Sequence, residues 1–374
     1  MTPNRERLLF NFISFAKIPS PSLKEGEISS FIFDKFKPYA KEIFSDSAGK
    51  IIGGETGNLI IKIPGNTTKP PFMLSAHLDT VAVKSKIRPL IRNKAVYSDG
   101  TTILGADCKA GIAVILETVE TLKKSKKDHP PLEIVLTVSE ENALLGAKNL
   151  DFSEIKAKRG LIFDNEQDFE NIIIKAPAAK GIEIKVIGKA SHSGVAPEQG
   201  ISAIKAAALA LVEMNLGRID FETTANIGFI RGGEGINIVP PLTIMQGEIR
   251  SLSEKKIEKT ENNFRAALRK AEKEFPGKLK PDFEFRTEYK FPALNINPSD
   301  PTVKLIKNSM KDMGYKPKLS VSGGGTDANI FCGKKIITPI LATGMRDVHT
   351  NGEYLDLETF FNCASLTLKI LSAA

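Results

Sequence analysis

The chain has 374 residues, 41% hydrophobic and 26% charged, with 52 Lys and Arg against 44 Asp and Glu for a net charge of +8. That is enough chain for a sizeable core and two domains, and the basic residues are scattered over helix faces, without the clustered footprint of a nucleic-acid binder. Cys108, Cys332 and Cys363 lack CxxC spacing and are too few for a disulfide framework. With no bilayer-length apolar run and no signal-like start, they point to a reducing cytoplasm and no membrane partner.

In chain order, Leu8, Leu9, Phe12, Ile13 and Ala16, then Ile28, Phe31, Ile32 and Phe36, recur at helical spacing and predict two helices that bury one face each. Strands are predicted over 58–63 and 72–76, the second running into His77-Leu78-Asp79-Thr80. The glycine-bracketed turn 103–108 precedes a helix from Lys109 to about Lys124. A buried strand over 132–138 ends in Ser139-Glu140-Glu141, and a shorter one over 161–163 ends in Asp164. Strands alternating with helices indicate an α/β fold.

From about Ala178 the pattern changes to strand (182–187), helix (201–214), two strands (225–231 and 242–251), a charged helix (254–274) and a strand (283–289). That order, β-α-β-β-α-β, is the split ferredoxin-like unit. Pro177 and Pro292 mark its edges, so residues 1–177 and 292–374 are expected to form one domain, interrupted by an inserted domain over 178–291. A helix over 303–313, a turn at Ser322 to Asp327 and a strand over 336–341 return the chain to the first sheet.

Open α/β sheets bind ligands beyond the carboxyl ends of their strands. His77, Asp107, Glu141, Asp164 and His349 fall at such ends or in loops, giving an imidazole and one or two carboxylates to each of two metals if Asp107 bridges. Mixed nitrogen and oxygen donors suit zinc or a similar divalent ion, and two ions about 3.5–4 Å apart form a standard hydrolytic arrangement. Each residue also has a plainer reading: Asp107 as a helix cap, Glu140-Glu141 as an acidic pair at a helix start, Asp164 as a turn residue, and His77 and His349 as ordinary histidines. Two features favour the metal reading. Asp79 lies on the same strand face as His77, where its carboxylate can accept the other ring N–H. Adjacent glutamates point different ways, so one can bind metal while the other acts as general base.

Together these segments resemble the dinuclear zinc exopeptidases and deacylases that include peptidase T, carboxypeptidase G and aminoacylase-like enzymes, with the peptidase T-like branch nearest. The likeness rests on 76–80, 104–111, Glu140-Glu141 with Gly146-Ala147, Asp164, Ser191-His192-Ser193-Gly194 with Pro197-Glu198, Gly324-Gly325-Thr326-Asp327, and His349. It implies that His77, Asp107 and Asp164 hold one zinc, and that Glu141 and His349 complete a second sharing Asp107; cobalt or manganese are the alternative metals. It further implies that Asp79 orients His77, that Glu140 is the general base on a metal-bridging water, and that His192 stabilises the oxyanion, often across a dimer interface. Asn237, Arg250, Gly324 and Gly325 would bind substrate, and the inserted domain would serve as lid and homodimer contact. One departure stands out: where peptidase T-like chains have Asp-Asp-Lys, this one has Asp107-Cys108-Lys109, which puts metal preference and oxidation sensitivity in question.

The resemblance therefore implies a short-peptide exopeptidase of tripeptidase or aminopeptidase type. An N-acyl amino acid deacylase or carboxypeptidase would share the same dinuclear core. A binding-only descendant would have no need of Glu140 and Asp79 alongside all five ligands.

Overall fold

The computed structural model describes residues 1–374. Two compact units emerge: Met1–Ala176 with Leu294–Ser322 and Thr326–Ala374, and Pro177–Ala293 with Gly323–Gly325. No helix is long and apolar enough to cross a membrane.

The first unit is built on a nine-stranded mixed sheet, the α/β class expected from the sequence. Its central strands, Leu132–Thr137, Phe72–His77 and Gly160–Asn165, are buried runs of apolar residues, as parallel strands covered on both faces should be. They run parallel, so their carboxyl ends share one edge. Ile340–Ala342 pairs with Gly160–Asn165 on one side and Asn171–Ala176 on the other. Residues from late in the sequence thus fill an interior position of the sheet.

The helix Ala106–Ser125 lies on these strands and is buried around most of its circumference. Its approach requires Gly111: a Cβ there would stand 2.6 Å from the Phe163 carbonyl oxygen and 2.8 Å from the Phe163 Cβ. Arg5–Ala16 and Leu357–Ala373 pack against the same helix, joined by an edge-to-face contact of Phe12 with Phe360 at 5.7 Å. Four short strands, Leu90–Arg92, Ala95–Tyr97, Met345–Arg346 and Tyr354–Asp356, make a small antiparallel sheet. At two or three residues each, they are too short to show a periodic pattern in the sequence.

The second unit is a five-stranded antiparallel sheet in the order Gly217–Arg218, Thr223–Gly232, Leu242–Ser251, Ala178–Ile187, Asp282–Phe291. The helices Ala203–Glu213 and Glu254–Glu274 bury Ala206, Ala210, Phe264 and Leu268 in a core shared with Ile182, Ile184 and Val186. Apart from the two-residue strand at Gly217, the element order is strand, helix, two strands, helix, strand.

Candidate metal centre

His77 ends its strand opposite Thr137 in register. On the other side Ser75 pairs with Ile162, so Asp164 lies two residues further along, level with His77. The sheet itself therefore sets an imidazole beside a carboxylate, and His77 Nε2 lies 3.9 Å from Asp164 Oδ1. The other ring nitrogen, Nδ1, contacts the Asp79 backbone carbonyl at 2.9 Å, with the Asp79 carboxylate further off at 3.4 Å. The expected carboxylate contact is thus secondary to the carbonyl. The carboxylate is occupied elsewhere: it accepts the backbone N–H groups of Glu140 (2.9 Å) and Glu141 (3.2 Å) and the Ser22 hydroxyl (2.7 Å).

Asp107 does not cap its own helix. The backbone is non-helical at Asp107 and Cys108, so the regular helix follows them, and Gly105 before them is left-handed at φ 76°. The Asp107 carboxylate is instead split between two imidazoles, Oδ1 at 3.0 Å from His77 Nε2 and Oδ2 at 3.2 Å from His349 Nε2. His349 Nε2 also meets Glu141 Oε1 at 2.8 Å. Potential ligand atoms therefore form two clusters that share Asp107: His77, Asp107 and Asp164, with the Cys108 sulfur nearby, and Asp107, Glu141 and His349. Glu140 joins His77 and Glu141 in a third grouping.

A model of peptidase family M20/M25/M40 matches residues 73–373. The chain belongs to peptidase family M20/M25/M40. Uncharacterized protein YqjE of Bacillus subtilis (strain 168) is 36% identical over 371 residues, which cover 99% of each chain. The solved aminopeptidase PepT of Bacillus cereus ATCC 10987 is 36% identical with a TM-score of 0.90, over 99% of this chain and 98% of that one. A tripeptidase structure from Staphylococcus aureus is 32% identical with a TM-score of 0.94, over 100% and 99%. The chain is a hydrolase of the peptidase T-like branch of the M20 family.

The electrostatics of this M20 centre fit divalent cations. Asp107, Glu140, Glu141 and Asp164 converge on only two imidazoles, and those imidazoles are the sole ion-pair partners of Asp107, Glu141 and Asp164. Burial, then the neighbouring carboxylates, pushes Glu140 and Asp164 well above the usual carboxylate range, against the pull of His77. Burial also acts to raise Asp107, but hydrogen bonds from His349 and His77 outweigh it and hold the group low. Hydrogen bonds to Asp107 and Glu141 raise His349 to about 10. Unpaired buried charge is costly, and cations among these oxygen and nitrogen donors would relieve it. Cys108 is fully buried, and its thiol donates to the Phe163 carbonyl at 2.7 Å. Burial raises the thiol pKa well above its ordinary value, with Asp164 and Asp107 adding to the rise. Without a metal it is therefore held as a neutral thiol.

Several supporting carboxylates were given no role from the sequence. Glu25 accepts the backbone N–H and the hydroxyl of Ser139 at 2.9 and 3.1 Å, and Ser139 has left-handed backbone (φ 49°) just before Glu140. Asp327, buried, accepts the Thr137 hydroxyl at 2.5 Å. Glu353 caps the turn before Asp107. Each acts on a backbone or hydroxyl group distant in sequence and leaves no periodic signal.

In the second unit, His192 is exposed and bridges to Ile238, and the Ser193 N–H donates to the Asn237 carbonyl, so His192 and Asn237 belong to adjoining segments. The Arg250 fork binds Glu248 through two contacts of 2.8 and 3.1 Å. Gly325 has a packing reason for lacking a side chain, since a Cβ would strike the Phe291 ring at 2.2 Å; at Gly324 a Cβ would meet nothing.

Proposed function

We propose that this M20 hydrolase is a metal-dependent exopeptidase that cleaves short peptides, of tripeptidase or aminopeptidase type. The observation that carries the reading is the division of one carboxylate, Asp107, between two ligand clusters with Glu140 alongside. The likeness to a solved PepT aminopeptidase and a solved tripeptidase supports the substrate class.

His77, Asp107 and Asp164 would hold one divalent ion, and Asp107, Glu141 and His349 a second; zinc suits the set best, with cobalt or manganese as alternatives. Such ions supply a polarised scissile carbonyl and a water whose pKa falls toward neutrality. The chain's own part is proton handling and positioning. Glu140, whose affinity for a proton is raised by burial and nearby carboxylates, takes the proton of the attacking water and returns it to the leaving amine. Asp79 aims Glu140 and Glu141 through their backbone amides. By resemblance, His192 stabilises the oxyanion, while Asn237, Arg250, Gly324 and Gly325 bind substrate. By resemblance, the inserted unit is also the homodimer contact.

Steady-state hydrolysis of tripeptides with free and blocked amino termini, alongside N-acyl amino acids, tests the substrate class. A preference for acylated amino acids would overturn the peptidase assignment in favour of a deacylase. Glu140→Ala should fold and retain both metals while losing about 10²–10⁴-fold in kcat; undiminished turnover would remove Glu140 as the base.

A further inference from the structure

The turn that delivers Asp107 to the two histidines is held by a residue 246 positions away in the sequence, Glu353. Its Oε2 accepts the N–H groups of Leu104 at 2.7 Å and Gly105 at 2.8 Å, and its Oε1 accepts that of Asp107 at 3.1 Å. The side chain is buried, with 1% of the residue exposed, so water does not compete for these bonds.

Glu353 is itself firmly held. Its N–H donates to the Thr350 carbonyl and its own carbonyl accepts from Ser98, and it directly precedes the strand Tyr354–Asp356, which pairs with Ala95–Tyr97 and Met345–Arg346. The last two strands of that set, Met345–Arg346 and Tyr354–Asp356, form a hairpin whose loop carries His349 near its tip and Glu353 at its end. One short loop thus reaches the helix entry twice: His349 contacts the Asp107 side chain, and Glu353 contacts the Asp107 backbone.

We propose that Glu353 is the positioning residue of the dinuclear centre: by bonding the 104–107 turn from the His349 loop, it fixes the distance between Asp107 and His349. This rests on the reading of Asp107 and His349 as ion ligands given above. Neither amide of the turn nor the loop alone sets that distance; the carboxylate joining them does. A glutamine in its place keeps the size but offers one acceptor oxygen, and its NH₂ group would face a backbone N–H, donor against donor.

The test is zinc titration into metal-free wild-type, Glu353→Gln and Glu353→Asp proteins, read by competition with a chromophoric chelator, together with kcat, KM and thermal melting. Loss of an outer partner of a metal ligand typically costs about 10–100-fold in affinity or activity. The expected result is a fall of that size in affinity for one of the two zinc ions and in kcat for Glu353→Gln, with KM nearly unchanged. Aspartate, too short to reach all three amides, should not restore either. Glu353→Gln binding both zinc ions as tightly as wild type overturns the proposal whether or not it melts lower, since a lower melting point alone marks a merely structural residue. In that outcome an active, zinc-loaded wild type leaves the peptidase reading standing. A wild-type protein that takes up no zinc overturns both.

Discussion

At the scale of single residues, the centre is held by carboxylates bonded to backbone amides, and this divides what the sequence discloses from what it hides. His77, Asp107, Glu141, Asp164 and His349 could be singled out because strand ends and a glycine-bracketed turn are local signals. Asp79, Glu25 and Glu353 act through amides brought near only by the fold, and of the three only Asp79 drew notice, for its alternation with His77. Its main bonds run to Glu140, Glu141 and Ser22. Asp79→Asn loses an acceptor to these buried donors and should cost about 1–3 kcal/mol of stability, measured by denaturant unfolding, along with much of the activity. A variant as stable as wild type would contradict this bonding pattern. Cys108 offers a second check. With its thiol buried against the Phe163 carbonyl and kept protonated, it should resist an aromatic disulfide reagent in the native protein and react once the chain is unfolded. Fast native labelling of Cys108, located by peptide mass, would disprove that environment.

At the scale of elements, the long helix was legible as a helix but not in its fit. Its apolar residues signalled burial; its depth against the strands depends on Gly111, where the neighbouring backbone leaves no room for a methyl group. Gly111→Ala gains helix propensity, yet it should destabilise the protein by about 1–3 kcal/mol through overpacking and, by lifting the helix entry that carries Asp107, weaken zinc binding. A higher melting temperature for this variant would show that the helix has slack against the sheet. The elements of the second unit were readable because its strands and helices are long; the small sheet next to Glu353 was not, because its strands are too short for alternation to register.

At the scale of the whole molecule, the concentration of acid around two imidazoles sets how stability responds to pH without metal. His349 is raised to about 10 by its bonds to Asp107 and Glu141. The stabilisation this represents is full below the unfolded value of about 6.5 and is lost as pH climbs through about 10. Glu140 and Asp164, also raised, hold protons more tightly folded than unfolded and act in the same direction. Asp107, held low, opposes them only in acid, whereas burial lowers Lys109 to about 7, and this opposes His349 between about pH 7 and 10.5. In chelator, Lys109→Met should therefore make the fall in melting temperature from pH 6.5 to 10 steeper than in wild type, and His349→Asn should make it shallower; unchanged profiles in both would refute this balance. Light scattering should give the mass of two chains, and a monomer at working concentrations would remove the dimer.

The strand Ile340–Ala342, set between Gly160–Asn165 and Asn171–Ala176, carries an implication for biosynthesis. A ribosome that has made the first 176 residues has delivered four of the five proposed ligands, but the sheet beneath them still has a gap, bordered by two strands with unpaired edges. Only after the whole inserted unit has followed does the chain supply the missing strand, His349 and Glu353. Completion of the proposed second ion site, which needs His349, is thus deferred to nearly complete chains, and a nascent or truncated protein has aggregation-prone edges in place of a working centre.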